Sequence, residues 1–200
     1  CRVAFDFNKG GVMGKVHQFL VDHLLWEGNG TLLDIGCGAG ALTMRCAKSF
    51  PAATLIGMDY WGKEWSYAKE QCERNAVLEG VSGRVRFQKG DAAKLDFKDE
   101  TFDAVVSNFV FHEVRTADNK LDVVREALRV LKKGGAFSLQ DMFEQKALYG
   151  DMRQFVKELK AAGFSEVHYI PNIENVNNLV PRFIQAPWMI KGAGLLYGVK

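Results

Sequence analysis

The chain has 200 residues, 48% hydrophobic and 25% charged, so it can fill a core and is not a disordered tract. Its 26 basic and 24 acidic residues leave a net charge of +2 with no lysine or arginine stripe, so nucleic acid is not expected as a partner. Cys1, Cys37, Cys46 and Cys72 form no C-x-x-C pair and no apolar run approaches the roughly 18 residues of a membrane span, so we expect a cytoplasmic protein with reduced thiols, no metal site and no membrane span.

Helical and strand patterns alternate along the chain, which predicts an α/β fold built on a doubly wound, mostly parallel sheet. Val12, Val16, Leu20 and Leu24 mark one face of a helix within Gly11–Trp26. Thr31–Ile35 reads as a strand running into glycines, Ala41–Ser49 as a helix, and Ala53–Met58 as a second strand stopping at Asp59. A helix over Trp65–Leu78 ends at Gly80, and Arg84–Gln88 is a third strand. Asp103–Asn108 has the continuous apolar run of a strand buried on both faces. Leu121, Val124, Leu128 and Leu131 give a helix face, and Lys132–Gly135 turns the chain into a fifth strand, Ala136–Leu139. A helix over Tyr149–Ala162, a strand over Ser165–Ile170 and a last, antiparallel strand over Gly194–Val199 complete seven strands. The expected organisation is one domain over 1–200, with an N-terminal helix and lid in 1–27 and a variable substrate-side segment in 171–192.

The chemistry concentrates where the first strand meets its helix, at Asp34-Ile35-Gly36-Cys37-Gly38-Ala39-Gly40. Glycines there allow a tight turn that a ligand can approach closely, and the helix start beyond favours polar groups. Asp59 ends the next strand, 23 residues after Gly36, where a carboxylate can accept both hydroxyls of a ribose. An adenosine cofactor is implied, and Gly36-x-Gly38-x-x-Ala41 admits NAD under the relaxed dinucleotide pattern. Asp34 argues against that choice, since a carboxylate near a pyrophosphate repels it and suits a cationic ligand.

This loop resembles the first motif of class I S-adenosylmethionine-dependent methyltransferases. Asp59, Gly90-Asp91-Ala92, Phe102–Asn108 and Leu128–Gly135 match further segments of that family in order, so the resemblance covers about Leu32–Leu139. The nearest branch is the small-molecule group called methyltransferase type 11, with the ubiquinone/menaquinone C-methyltransferases. The resemblance implies a Rossmann-like methyltransferase fold, S-adenosylmethionine as cofactor with S-adenosylhomocysteine as product, and a small-molecule acceptor. It implies cofactor contacts from Asp34, Gly36, Cys37, Gly38 and Gly40 in the loop, with Asp34 holding the ammonium end. Asp59 takes the ribose, Tyr60 and Trp61 lie against adenine, Asp91 and Ala92 meet the adenine edge, and Asn108 and Phe109 reach the methionine end or the methyl path. Ser107-Asn108-Phe109-Val110 departs from the Asn/Asp-Pro-Pro-aromatic form, which argues against methylation of DNA bases or glutamine.

His112, just past the fourth strand and followed by Glu113, is the candidate general base, with a structural histidine as the competing reading. His17 lies in the first helix and His168 in the sixth strand. Lys9–Lys15 fails the phosphate-loop pattern and reads as a lid, with Phe5 and Phe7 as ligand contacts. Asn172, Asn175, Arg182, Phe183 and Trp188 mark the other variable wall. The rival functions are an NAD-dependent oxidoreductase, which lacks a Tyr-x-x-x-Lys pair, and a non-catalytic cofactor-binding module. The acceptor atom and the oligomeric state are not legible.

Overall fold

The computed structural model describes residues 11–62, 67–181 and 190–200. Phe5, Phe7 and Lys9 of the expected lid, and Arg182, Phe183 and Trp188 of the variable wall, lie outside them. The elements run α1 (Val12–Asp22), β1 (Thr31–Ile35), α2 (Ala41–Ser49), β2 (Thr54–Asp59), α3 (Tyr67–Leu78), β3 (Val85–Lys89) and β4 (Phe102–Asn108). They continue with α4 (Lys120–Arg129), β5 (Leu131–Asp141), α5 (Lys146–Tyr149), α6 (Met152–Ala161), β6 (Glu166–Ile170) and β7 (Gly194–Val199).

One seven-stranded sheet has the order β3-β2-β1-β4-β5-β7-β6. The pairs among β1 to β5 are parallel, and β7 runs antiparallel between β5 and β6. Alternation along the strands explains the two core layers. Leu32, Ala104 and Ala136 point to the face packed by α1 and α2, while Leu33, Val105 and Phe137 point to the face packed by α4 and α6. Ala104 through Ser107 are all buried, as their unbroken run predicts for a strand covered on both sides.

Three expectations are corrected. α1 stops at Asp22 rather than Trp26, and the His23 ring pairs with the Phe19 carbonyl at 2.7 Å. Leu131 opens β5 rather than closing a helix, and Lys132–Gly135 is a bulge inside that strand, marked by the register shift against β4. The helix expected over Tyr149–Ala162 is two, broken at Gly150 with φ 64°, and Asp151 caps α6 by accepting from Arg153 N at 2.9 Å. That break leaves Tyr149 at the end of α5, facing the end of β5.

Candidate active site

Between β1 and α2 the chain turns through Gly36, Gly38 and Gly40, with φ of 72°, 55° and 84°. Gly36 is a close approach: a Cβ there would lie 2.2 Å from Val110 Cγ2. At Gly38 a Cβ would meet nothing within 4 Å, so this glycine leaves open space rather than filling it. The loop is strapped on its other sides. Gly36 N and Cys37 N donate to Met58 O at 2.7 and 3.0 Å, and Gly38 N donates to Asp59 Oδ2 at 2.8 Å. Gly38 O accepts from Trp61 Nε1 at 3.1 Å and from Cys72 Sγ at 3.2 Å.

The open face of Gly38 borders a cavity of about 720 Å³ at the C-terminal ends of the parallel strands. β1 lies between β2 and β4, so the chain winds outward in opposite directions from it, and such a switch point leaves a crevice where ligands bind. Asp59, Tyr60 and Trp61 line the cavity after β2, Asp91 and Ala92 after β3, and Asn108 and Phe109 after β4. Glu113, Arg115 and Thr116 form its rim. Trp61 and Phe109 hold positive φ of 36° and 55°, each costing about 1–2 kcal/mol in a non-glycine residue, a strain held by the packing of Trp61 with Cys37 and Cys72 and of Phe109 against the core.

The structure brings most of the expected contacts together and divides their tasks. Asp59 holds the loop through Gly38 N and also accepts from Trp61 N at 3.1 Å, while lining the cavity. Tyr60 is 59% exposed, with Lys89 Nζ 5.4 Å from its ring centroid. Trp61 is buried beside Cys37 and Cys72 and spends its indole N–H on the loop, so it underpins the cavity as much as it faces it. Asp91 Oδ1 accepts from Ala93 N and Thr116 Oγ1, both at 2.9 Å, which makes it a turn residue and a tie to the rim. Asn108 Oδ1 accepts from buried Gln140 Nε2 at 2.7 Å. Phe111 is fully buried in the core, whereas Phe109 lines the cavity.

Asp34, Cys37, Gly40 and His112 do not line this cavity. Asp34 is 1% exposed beneath the loop and accepts from Thr43 Oγ1 at 2.5 Å. Burial pushes its pKa up to about 7, the Thr43 hydrogen bonds oppose this, and the Asp59 charge adds to it. Cys37 is buried against Cys72, and that contact and burial push its thiol up. Gly40 caps α2 in the left-handed conformation. His112 stands behind the wall with Nδ1 2.7 Å from Asp141 Oδ1, and its pKa is raised: burial lowers it, but the hydrogen bond and charge of Asp141 outweigh that. His17 is buried in α1, and burial with the nearby Arg45 charge lowers its pKa to about 4. His168 lies in β6, 2.7 Å from Glu166 and stacked on Tyr197. No group of three His, Cys, Asp or Glu side chains converges as a metal site among the described residues.

Sequence reasoning missed Asp141. It ends β5, is fully buried, and binds the segment that follows β4. A lone carboxylate closing an apolar strand was the available signal.

Residues 33–139, more than half of the chain, match the family model described as a methyltransferase domain. The sterol 24-C-methyltransferase erg6 of Aspergillus fumigatus is 31% identical over 136 residues, covering 68% of this chain and 34% of that protein. An arsenite methyltransferase of Aquipseudomonas alcaligenes is 31% identical over 127 residues, covering 62% and 36%. The chain thus spans about a third of the length of these relatives. Among solved structures, a geranyl diphosphate methyltransferase in complex with GPP and sinefungin superposes with a TM-score of 0.66 at 17% identity, covering 93% of this chain and 78% of that one. The [4+2]-cyclase SpnF gives 0.67 at 22%, covering 93% and 80%, so this fold also carries other chemistry. The sheet order, the glycine loop over an open cavity and the matched residues together make this chain a member of the methyltransferase-domain family.

Proposed function

We propose that this chain, acting as one domain, transfers a methyl group from S-adenosylmethionine to a small-molecule acceptor. The observation that carries this reading is the open face of Gly38, set in one cavity with the Asp59 and Asp91 carboxylates. Those residues suit an adenosine. Asp59 would hold the ribose hydroxyls, Tyr60 would lie against the base, and Asp91 with the Ala92 N–H would meet its edge. Asn108 and Phe109 would border the methionine end. Asp34 supports the loop from beneath and acts on the ligand only through it.

S-adenosylmethionine supplies a methyl group already activated on a positive sulfur, so the protein's main task is alignment, worth roughly 7–11 kcal/mol. The rigid turns at Trp61 and Phe109 serve that task by fixing the walls. The names of the sterol and arsenite relatives favour a small acceptor, and the even charge of the chain argues against nucleic acid. No helix among the described residues is long and apolar enough to cross a membrane, and the reduced-thiol reading favours the cytoplasm. The case against NAD rests less on Asp34, which is buried and pushed up to about 7, than on the family match. Calorimetry with S-adenosylmethionine, S-adenosylhomocysteine and NADH tests the reading. Both sulfur compounds should bind and NADH should not; tighter binding of NADH than of S-adenosylhomocysteine would overturn it.

A further inference from the structure

His112 joins two carboxylates of opposite character. Its Nδ1 lies 2.7 Å from Asp141 Oδ1, and its Nε2 lies 3.3 Å from Glu113 Oε1. The Asp141 side chain is 0% exposed; that of Glu113 is 72% exposed and lines the cavity. The imidazole therefore bridges the core and the cavity wall.

Asp141 is committed entirely to accepting. Oδ2 takes Val110 N and Phe111 N at 2.9 and 2.8 Å, and Oδ1 takes Met142 N at 2.7 Å and the Tyr149 hydroxyl at 2.9 Å. Burial, with the charge and hydrogen bond of Asp141, pushes the Tyr149 phenol above its ordinary range, so it remains a donor. A carboxylate among four such donors has no hydrogen to give, so the fifth contact requires a hydrogen on His112 Nδ1. A neutral imidazole carries one N–H, and the hydrogen bond at one nitrogen decides the state of the other. With Nδ1 protonated, Nε2 keeps a lone pair, and the Glu113 carboxylate lies 3.3 Å from that atom.

We propose that Asp141 is a positioning residue that holds His112 with Nε2 as a proton-accepting atom, and that Glu113 connects this atom to the cavity. The inference rests on the methyltransferase reading, since it is an O–H or N–H acceptor that must shed a proton on methylation. The proton leaves the acceptor heteroatom, whose bonding pair stays behind. It passes to a Glu113 oxygen and then forms an N–H bond with the Nε2 lone pair. The three side chains go from two negative charges to one, as an imidazolium held between two carboxylates. The charged groups acting on His112 are Asp141 and Glu113, which favour the imidazolium, and Lys120, which opposes it; burial opposes it as well. The net effect is a rise from the ordinary imidazole value, which strengthens His112 as a proton acceptor.

The test uses the full chain labelled with 15N-histidine, with imidazole nitrogen spectra recorded from about pH 5 to about pH 9, with and without S-adenosylhomocysteine. His112→Gln identifies the His112 signals. Neutral His112 should carry its hydrogen on Nδ1 and titrate at Nε2, with a midpoint above that of free histidine. Asp141→Asn should lower the midpoint and move the hydrogen to Nε2. Glu113→Gln should lower the midpoint and leave the hydrogen on Nδ1. Tyr149→Phe should raise the midpoint, because it removes one of the two donors that share Asp141 Oδ1 with His112, and it decides the Asp141 contribution if Asp141→Asn does not fold. A neutral His112 protonated on Nε2, or a midpoint unmoved by both Glu113→Gln and Tyr149→Phe, overturns the proposal. Calorimetry with S-adenosylhomocysteine on the same samples judges the cofactor reading separately, since loss of binding with this titration pattern intact counts against that reading and not against the arrangement.

Discussion

Two buried aspartates lie beside the two walls of the cavity, and they are treated differently. Asp34 lies under the glycine loop with the Thr43 hydroxyl against it, and burial pushes its pKa up to about 7. Asp141 lies under the segment after β4 and accepts from Val110 N, Phe111 N, His112 Nδ1, Met142 N and Tyr149 OH. The first wall obtains its shape from glycine: positive φ at Gly36, Gly38 and Gly40 sets the turn, and the straps to Met58 O and Asp59 are local to β1 and β2. The second wall has no glycine, so a charge from the neighbouring strand gathers its N–H groups. Ser107 Oγ, donating to Ile35 O at 2.9 Å, ties the two walls together. A loop made by backbone conformation tolerates a poorly solvated carboxylate beneath it, whereas a loop made by a carboxylate needs that carboxylate fully satisfied.

The largest effect belongs to the glycine wall and is on binding. Gly38→Val meets no neighbour but strains a backbone held at φ 55°, at a cost of about 1–2 kcal/mol, so a chain that folds with reduced stability should lose S-adenosylhomocysteine binding beyond detection by calorimetry. Wild-type affinity in the folded variant would place the ligand elsewhere.

The second effect belongs to the other wall and is on stability. Asp141→Ala leaves buried donors without an acceptor and should cost about 3–5 kcal/mol in denaturant unfolding. A loss under about 1 kcal/mol would mean that the wall holds itself.

The third concerns the aspartate beneath the glycine wall and is on the pH dependence of stability. The folded pKa of Asp34, about 7, lies above its ordinary 3.8, so the folded state binds the proton more tightly, and its contribution is lost as pH rises through that window. His17 works in the opposite sense, since its folded value of about 4 lies below 6.5 and its contribution is lost as pH falls. The two slopes offset one another in the wild type. Asp34→Asn removes one of them, so the variant should gain on the wild type by up to about 3 kcal/mol between about pH 5 and about pH 8. Parallel stability curves would show that Asp34 ionises without cost.

The smallest effect tests where the glycine wall meets the ligand. Asp59→Ala should weaken S-adenosylmethionine binding roughly 10- to 150-fold, about 1.5–3 kcal/mol for a hydrogen bond to a charged group. The same variant also frees Gly38 N, so a change in unfolding midpoint as large as the change in affinity would show that Asp59 serves the loop alone.

The glycine wall was legible in the sequence because its determinants are local. Gly36, Gly38 and Gly40 follow an apolar strand directly, and Asp59 closes the next one, so spacing along the chain stood in for proximity in space. The ranges of β1, α2 and β7 follow the apolar patterns, and the doubly wound sheet follows from the alternation of strands and helices. Tertiary structure alone decided the rest. It put the Trp61 indole on Gly38 O, withdrew Asp34 and Cys37 from the cavity, and broke the chain at Gly150 so that Tyr149 meets Asp141. Asp141 and His112 are 29 residues apart, and no periodicity of helix or strand links them. Their contact exists because β4 and β5 pair in parallel and end at the same level, with Asn108 opposite Gln140, and a buried carboxylate at that edge must find donors wherever the neighbouring strand supplies them.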